Sequence, residues 1–236
     1  MLKVRGLKGG YGGRLIVDGV DLDVAAGEIV TVIGQNGAGK STILKSIFNM
    51  APVREGVVTL DDQDIFPVSS YQMLTVGLAY IPQHHSVFPK LTITENLRMG
   101  GYLLSDAKLL QERVAKVEDM FPILKERRKE YAASLSGGEQ RMLEIARTLI
   151  MDPKVVMLDE PSIGLAPKMV DLVFSTARLL AEAGKGILMV EQNVRRALLA
   201  SDRGYVLELG QVRITDEAQA LIADERVSRL YMGVRS

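Results

Sequence analysis

The chain has 236 residues, of which 47% are hydrophobic, 25% charged and 5% aromatic, with neither Cys nor Trp. Lys plus Arg equals Asp plus Glu at 29 each, so the chain lacks the net positive field of a general nucleic-acid binder. Without Cys there is no disulfide, no thiolate nucleophile and no Cys-ligated metal site, and the two histidines, His84 and His85, are too few for a multi-histidine centre. No apolar run approaches the ~18 residues that cross a bilayer, and the first residues carry no signal-peptide pattern. These numbers predict a soluble, cytoplasmic, globular chain of about one domain.

Residues 2–32 alternate apolar and polar positions around the glycines of GGYGG, which predicts antiparallel strands and hairpins. Strand-length apolar runs then recur at Ile29–Ile33, Leu78–Ile81, Val155–Leu158, Ile187–Val190 and Tyr205–Leu209. Their alternation with helical patterns predicts a mainly parallel sheet covered on both faces. Half the residues from Ser105 to Glu130 are charged, yet Leu110, Val114, Val117 and Phe121 recur at helical spacing. That pattern predicts amphipathic helices broken at Pro122. A further helix is expected from about Glu139 to Met151, burying Met142, Ile145, Ala146, Leu149 and Ile150. Another is expected from Pro167, burying Val170, Val173, Phe174, Ala177 and Leu180. Lys125, Arg127, Arg128 and Lys129 interleave with Glu126 and Glu130, the pattern of a solvated helix face. The 11 methionines are spread along the chain and read as core filler.

The chemistry begins at Gly34-Gln35-Asn36-Gly37-Ala38-Gly39-Lys40-Ser41, which fits G-x-x-x-x-G-K-[ST] between an apolar strand and an apolar helical segment, Thr42 to Met50. Glycines let the backbone curl so that successive N–H groups face phosphate oxygens, and the helix N-terminus adds its positive dipole end. In this pattern Lys40 reaches the β- and γ-phosphates of a nucleotide and Ser41 ligates Mg²⁺.

The run Val155–Leu158 delivers Asp159 and Glu160 to a strand end, followed by Pro161. In P-loop enzymes such a strand is expected beside the loop strand, so that Asp159 holds Mg²⁺ through water and Glu160 orients or deprotonates the attacking water. Upstream lies Leu135-Ser136-Gly137-Gly138-Glu139-Gln140, a loop and N-cap with an acidic first turn and a second N–H surface suited to phosphate.

A P-loop, then Ser-Gly-Gly-Glu, then an Asp-Glu strand end, in this order, resembles the ATP-binding cassettes of ABC transporters. The resemblance covers essentially the whole chain, 1–236, with a helical subdomain at about 84–135. It implies a P-loop α/β fold with a mainly parallel core sheet, an N-terminal antiparallel β-subdomain and an α-helical subdomain. Tyr11 matches the position that stacks on adenine, and Gln83 the glutamine that senses Mg²⁺ and the γ-phosphate. Ser136, Gly137, Gly138 and Glu139 match the signature that closes the partner cassette's site. The resemblance implies ATP and Mg²⁺ as ligands and ATP hydrolysis as the reaction. It also implies a second cassette subunit as a homo- or heterodimer, two transmembrane permease subunits, an extracellular or periplasmic binding protein acting indirectly, and a peripheral place on the cytoplasmic face of the membrane. Nucleic acid is not an expected partner. His84 and His85 then read as an exposed loop facing the permease.

Two departures narrow the family. Gln192 stands where most cassettes carry a switch histidine, and Ala166 where the segment Ser162–Pro167 usually has Asp. Glutamine donates a hydrogen bond but never becomes cationic, which places more of hydrolysis on Glu160. EPSIGLAP and VEQN together resemble one ATPase of the branched-chain (hydrophobic) amino acid importers, which pair two different cassettes, so a heterodimer is favoured. Urea and short-chain amide importers have a similar subunit. Lipid or lipopolysaccharide exporter cassettes are a more distant alternative, since they usually retain the histidine, and non-transport regulatory cassettes are more distant still.

Overall fold

The structure, a computed structural model, describes residues 1–83 and 86–227. His84 and His85, read above as a permease-facing loop, lie outside the described residues. A hairpin of β1 (Leu2–Tyr11) and β2 (Arg14–Val24) opens the chain, followed by β3 (Ile29–Gly34), α1 (Lys40–Ile47), β4 (Val53–Leu60) and β5 (Gln63–Asp64). The middle comprises α2 (Met73–Val76), β6 (Leu78–Ile81), α3 (Ile93–Gly100), α4 (Ala107–Met120), α5 (Pro122–Glu126) and α6 (Gly137–Leu149). The last part runs through β7 (Val155–Asp159), α7 (Pro167–Glu182), β8 (Gly186–Val190), α8 (Val194–Ala200), β9 (Arg203–Glu208), β10 (Gln211–Glu217) and α9 (Ala218–Ala223).

Two sheets result. One is antiparallel with order β2-β1-β4-β5, and the other has order β10-β9-β3-β8-β7-β6, parallel throughout except for the antiparallel edge β10. Every residue of β3, β7 and β8 is buried, which is why these strands are near-continuous in apolar residues rather than alternating. Antiparallel pairing at the N-terminus ends at Val24, not near residue 32, because Ile29–Gly34 is a central strand of the parallel sheet. Between them the chain turns through Ala25–Glu28, where the Ala25 N–H donates to the Glu28 carboxylate at 2.8 Å.

The strand order corrects one expectation. β7, which carries Asp159, is not beside β3; β8 lies between them. Asp159 is in register with Val190 of β8, and Val190 with Val32 of β3, so β7 and β8 end level and β3 runs on to Gly34 at the start of the P-loop. The parallel strands therefore deliver the P-loop, Gln83, Asp159–Glu160 and Glu191–Gln192 to one edge, where open α/β sheets bind their ligands.

Helices pack on both faces. Leu97 of α3, Val114 and Val117 of α4, and Phe121 and Leu124 share one apolar core with Met142, Leu143, Ile145 and Leu149 of α6 and Val170 and Phe174 of α7. Burying each such side chain contributes roughly 1.5–3 kcal/mol. Phe121 separates α4 from α5, which starts at Pro122, in agreement with the predicted break. The methionine reading holds only in part: Met73, Met142, Met157 and Met189 are buried, whereas Met50, Met99 and Met120 are exposed. Among the described residues no helix is long and apolar enough to cross a membrane.

Candidate active site

At the carboxyl edge of the parallel strands lies a cavity of about 410 Å³, lined by Asn36, Gly37, Gly39, Lys40, Ser41, Thr42, Gln83, Glu160, Ile163 and Gln192, with Ile16 of β2 on one side. Gly37 and Gly39 adopt φ of 81° and 105°, the left-handed region that only glycine enters without strain. Inside the loop the buried Ala38 donates its N–H to the Gln35 carbonyl at 3.1 Å. The Lys40 ammonium donates to the carbonyls of Gly34 and Gln35 at 2.9 and 3.1 Å, so it braces the curl from within. Burial pulls its pKa below the ordinary lysine value, opposed by the carboxylates of Glu160, Asp159 and Glu191.

Gly34 is required for a different reason. A Cβ there would stand 2.4 Å from the Leu207 carbonyl oxygen of β9, a backbone atom that cannot swing aside. Replacing Gly34 by Ala is expected to destabilise the fold by about 1–3 kcal/mol, the usual cost of overpacking. An unchanged urea midpoint would contradict the close approach of the two strands.

Opposite the loop, Ser41 Oγ donates to Asp159 Oδ1 at 2.7 Å and the Tyr80 hydroxyl donates to Oδ2 at 2.8 Å. Asp159 is 1% exposed. Burial first, then the Asp159 charge and hydrogen bond, drive the Tyr80 phenol well above its ordinary pKa, so it stays a donor. A serine hydroxyl and a carboxylate in contact form the hard-oxygen pair that Mg²⁺ prefers, with phosphate and water oxygens completing its shell. Among the described residues no cluster of three or more His, Cys, Asp or Glu could hold a metal ion.

Glu160 stands one residue on, at φ 44°, with its N–H donating to the Val190 carbonyl at 2.9 Å. A left-handed non-glycine residue costs of order 1–3 kcal/mol, and such strain concentrates at functional sites. Its Oε2 accepts from Gln83 Nε2 at 2.9 Å, which brings together two residues that the sequence separates by 77 positions. Burial pushes the Glu160 carboxyl above the ordinary glutamate value; Lys40 opposes the rise and the charges of Asp159 and Glu191 add to it.

The signature lies elsewhere. Ser136 and Gly137 are exposed, and none of Ser136–Glu139 lines the cavity. Ser136 caps α6 through a reciprocal box, with Glu139 N–H to its Oγ at 3.4 Å and its own N–H to Glu139 Oε2 at 2.8 Å. Arg127 donates to Glu139 Oε1 and Glu130 Oε2 at 2.9 and 2.8 Å, so this member of the basic cluster holds the signature helix rather than forming a purely solvated face. A Cβ on Gly138 would lie 2.8 Å or less from Met169 Cβ, Cγ and Cε, so glycine lets the first turns of α6 and α7 approach. Tyr11 is at the tip of the β1–β2 hairpin, paired with Arg14, 41% exposed and outside the cavity lining.

The sequence reading missed Tyr80, Arg141 and Glu191. Arg141 of α6 is 2% exposed and donates to the Pro82 carbonyl, the Glu144 carboxylate and the Asp159 carbonyl at 2.7, 2.9 and 3.3 Å. It ties the signature helix to the Gln83 loop and the acidic strand. Its one signal in the sequence is a charged residue adjoining the apolar positions of α6, with Glu144 three residues on.

The model of the family described as ABC transporter matches residues 17–163. The chain belongs to the ABC transporter family. This cassette is 39% identical over 223 residues to the high-affinity branched-chain amino acid transport ATP-binding protein BraG of Pseudomonas aeruginosa, covering 94% of this chain and 95% of that protein. It is 40% identical over 235 residues to the probable branched-chain amino acid transport ATP-binding protein LivF of Archaeoglobus fulgidus, covering 99% of both. Its fold matches the ADP conformation of MJ1267, an ATP-binding cassette of an ABC transporter, with a TM-score of 0.86 at 27% identity over 99% of each chain. The cassette is thus an ABC ATPase, and ATP is its nucleotide.

Proposed function

We propose that this cassette is the ATP-hydrolysing subunit of a membrane importer for branched-chain or other hydrophobic amino acids. It works at the cytoplasmic face with a second, different cassette, two permease subunits and a binding protein outside. The observation that supports hydrolysis is the juxtaposition of Ser41, Asp159, Glu160 and Gln83 at the mouth of the P-loop. The near full-length likeness to two branched-chain amino acid transport ATPases supports the substrate class.

In this reading the N–H groups of Asn36–Thr42 and the Lys40 ammonium bind the triphosphate, and Tyr11 stacks on adenine. Ser41, Asp159 and Gln83 would hold Mg²⁺, which would neutralise charge on the phosphates. Glu160 accepts a proton from the attacking water, and its raised proton affinity suits a base. Gln192 donates a hydrogen bond towards the γ-phosphate without carrying charge. Phosphoryl transfer needs alignment and charge stabilisation more than covalent chemistry. Ser136–Glu139 lie away from the chain's own cavity, where they serve the partner cassette's nucleotide, so hydrolysis belongs to the assembled pair.

Deleting the gene is expected to abolish high-affinity uptake of labelled leucine, isoleucine or valine while leaving urea and short-chain amide uptake intact. Retained amino acid uptake with lost amide uptake would overturn the substrate class but leave the ATPase reading in place.

A further inference from the structure

Directly after β8, Glu191 is a carboxylate that the proposed hydrolysis does not use. It is 1% exposed, and the hydrogen-bond donors that meet its carboxylate among the described residues are backbone N–H groups. Its Oε1 accepts the Ser162 N–H at 2.8 Å, and its Oε2 accepts the N–H groups of Gln192 and Asn193 at 3.0 and 3.3 Å. The first donor belongs to the loop that leaves Glu160, and the other two belong to the loop that carries Gln192. An ionised carboxylate is acceptor-only, and three backbone donors are what a buried one needs.

The two loops need such a brace. Glu160 sits in a strained left-handed conformation, which persists only where its surroundings over-determine it. One fixed point is its own N–H on the Val190 carbonyl, at the end of β8. The other is Ser162 N–H on Glu191, so the turn 160–162 is held at both ends by consecutive residues of one strand terminus. The same carboxylate fixes the backbone of Gln192, whose side chain lines the nucleotide cavity beside Glu160.

We infer that Glu191 is a positioning residue that clamps the Glu160 loop and the Gln192 loop to each other and so sets both side chains in register across the cavity. It does not line the nucleotide cavity. The inference rests on Glu160 being the residue that activates water.

Glu191→Gln tests it, because the volume is kept while one acceptor oxygen becomes a donor that must face an N–H. Turnover of the assembled transporter is expected to fall ten-fold or more, with KM for ATP and ATP affinity within two-fold of wild type. Glu191→Asp, shorter but charged, is expected to recover part of that loss. Amide hydrogen exchange on the full chain gives a readout independent of activity: peptides covering 160–164 or 191–194 should lose protection in Glu191→Gln, while those covering 34–42 should not. Turnover within two-fold of wild type, or unchanged exchange in both loops, overturns the clamp. A parallel loss of ATP affinity and of protection at 34–42 also overturns it, since that is general disruption. Glu160→Gln in the same assay separates the two readings: if that variant stays active, the assignment of Glu160 has failed rather than the clamp.

Discussion

Replacing Glu160 by Gln is expected to lower ATP turnover of the assembled transporter by 10²–10⁴-fold while ATP still binds. General-base assistance is worth that factor, or roughly 3–5 kcal/mol at about 1.4 kcal/mol per ten-fold. The replacement is nearly isosteric, and its amide oxygen still accepts from Gln83 Nε2, which now bonds Glu160 Oε2 at 2.9 Å. Lys40 keeps its bonds to the carbonyls of Gly34 and Gln35, and Ser41 its bond to Asp159, because none of these involves the Glu160 side chain. Binding and catalysis should therefore separate cleanly. Steady-state ATPase activity gives the first half of the test, and retention of labelled ATP by a cassette pair on a sizing column gives the second. Turnover within ten-fold of wild type would remove Glu160 from the mechanism. Position 192 makes this test sharper, since a glutamine there cannot substitute as a cationic or basic group.

The parts of this site that were legible in the sequence are those encoded locally. The P-loop is eight consecutive residues whose glycines, lysine and serine each answer a backbone or phosphate requirement, and the structure runs them from the last residue of β3 into the first turn of α1. The Asp159–Glu160 strand end and the cap at Ser136 are likewise short-range. What the sequence did not disclose is pairing across distance. An apolar run announces a strand but not its neighbours, so β8 was not foreseen between β3 and β7. The Ser41–Asp159 contact spans 118 positions and the Tyr80–Asp159 contact 79, and neither Tyr80 nor Arg141 belongs to a local pattern that would single it out. Glu191 was visible only as the residue before Gln192. Its role comes from burial and from three N–H groups that converge once two loops are brought together.

Removing the Lys40 ammonium, as in Lys40→Ala, is expected to weaken Mg-ATP binding by at least 100-fold, and the structure gives two separate reasons. The first is the phosphate contact itself: a charge-assisted hydrogen bond contributes about 1.5–3 kcal/mol, and 100-fold in affinity is about 2.8 kcal/mol. The second is internal. Lys40 braces the carbonyls of Gly34 and Gln35, so its loss frees the loop that must present its N–H groups to the phosphates. It is also a cation that offsets the charges of Asp159, Glu160 and Glu191, and without it those carboxylates repel an incoming polyanion more strongly. Lys40→Met separates the causes, because it keeps the length of the stem but neither donor nor charge. If packing alone shapes the loop, Met should bind ATP far better than Ala. If the charge and its carbonyl bonds matter, the two variants should be equally poor. The second outcome is expected, measured by titration calorimetry with Mg-ATP. Native affinity in either variant would mean that the loop from Gly34 to Ser41 is not the phosphate site.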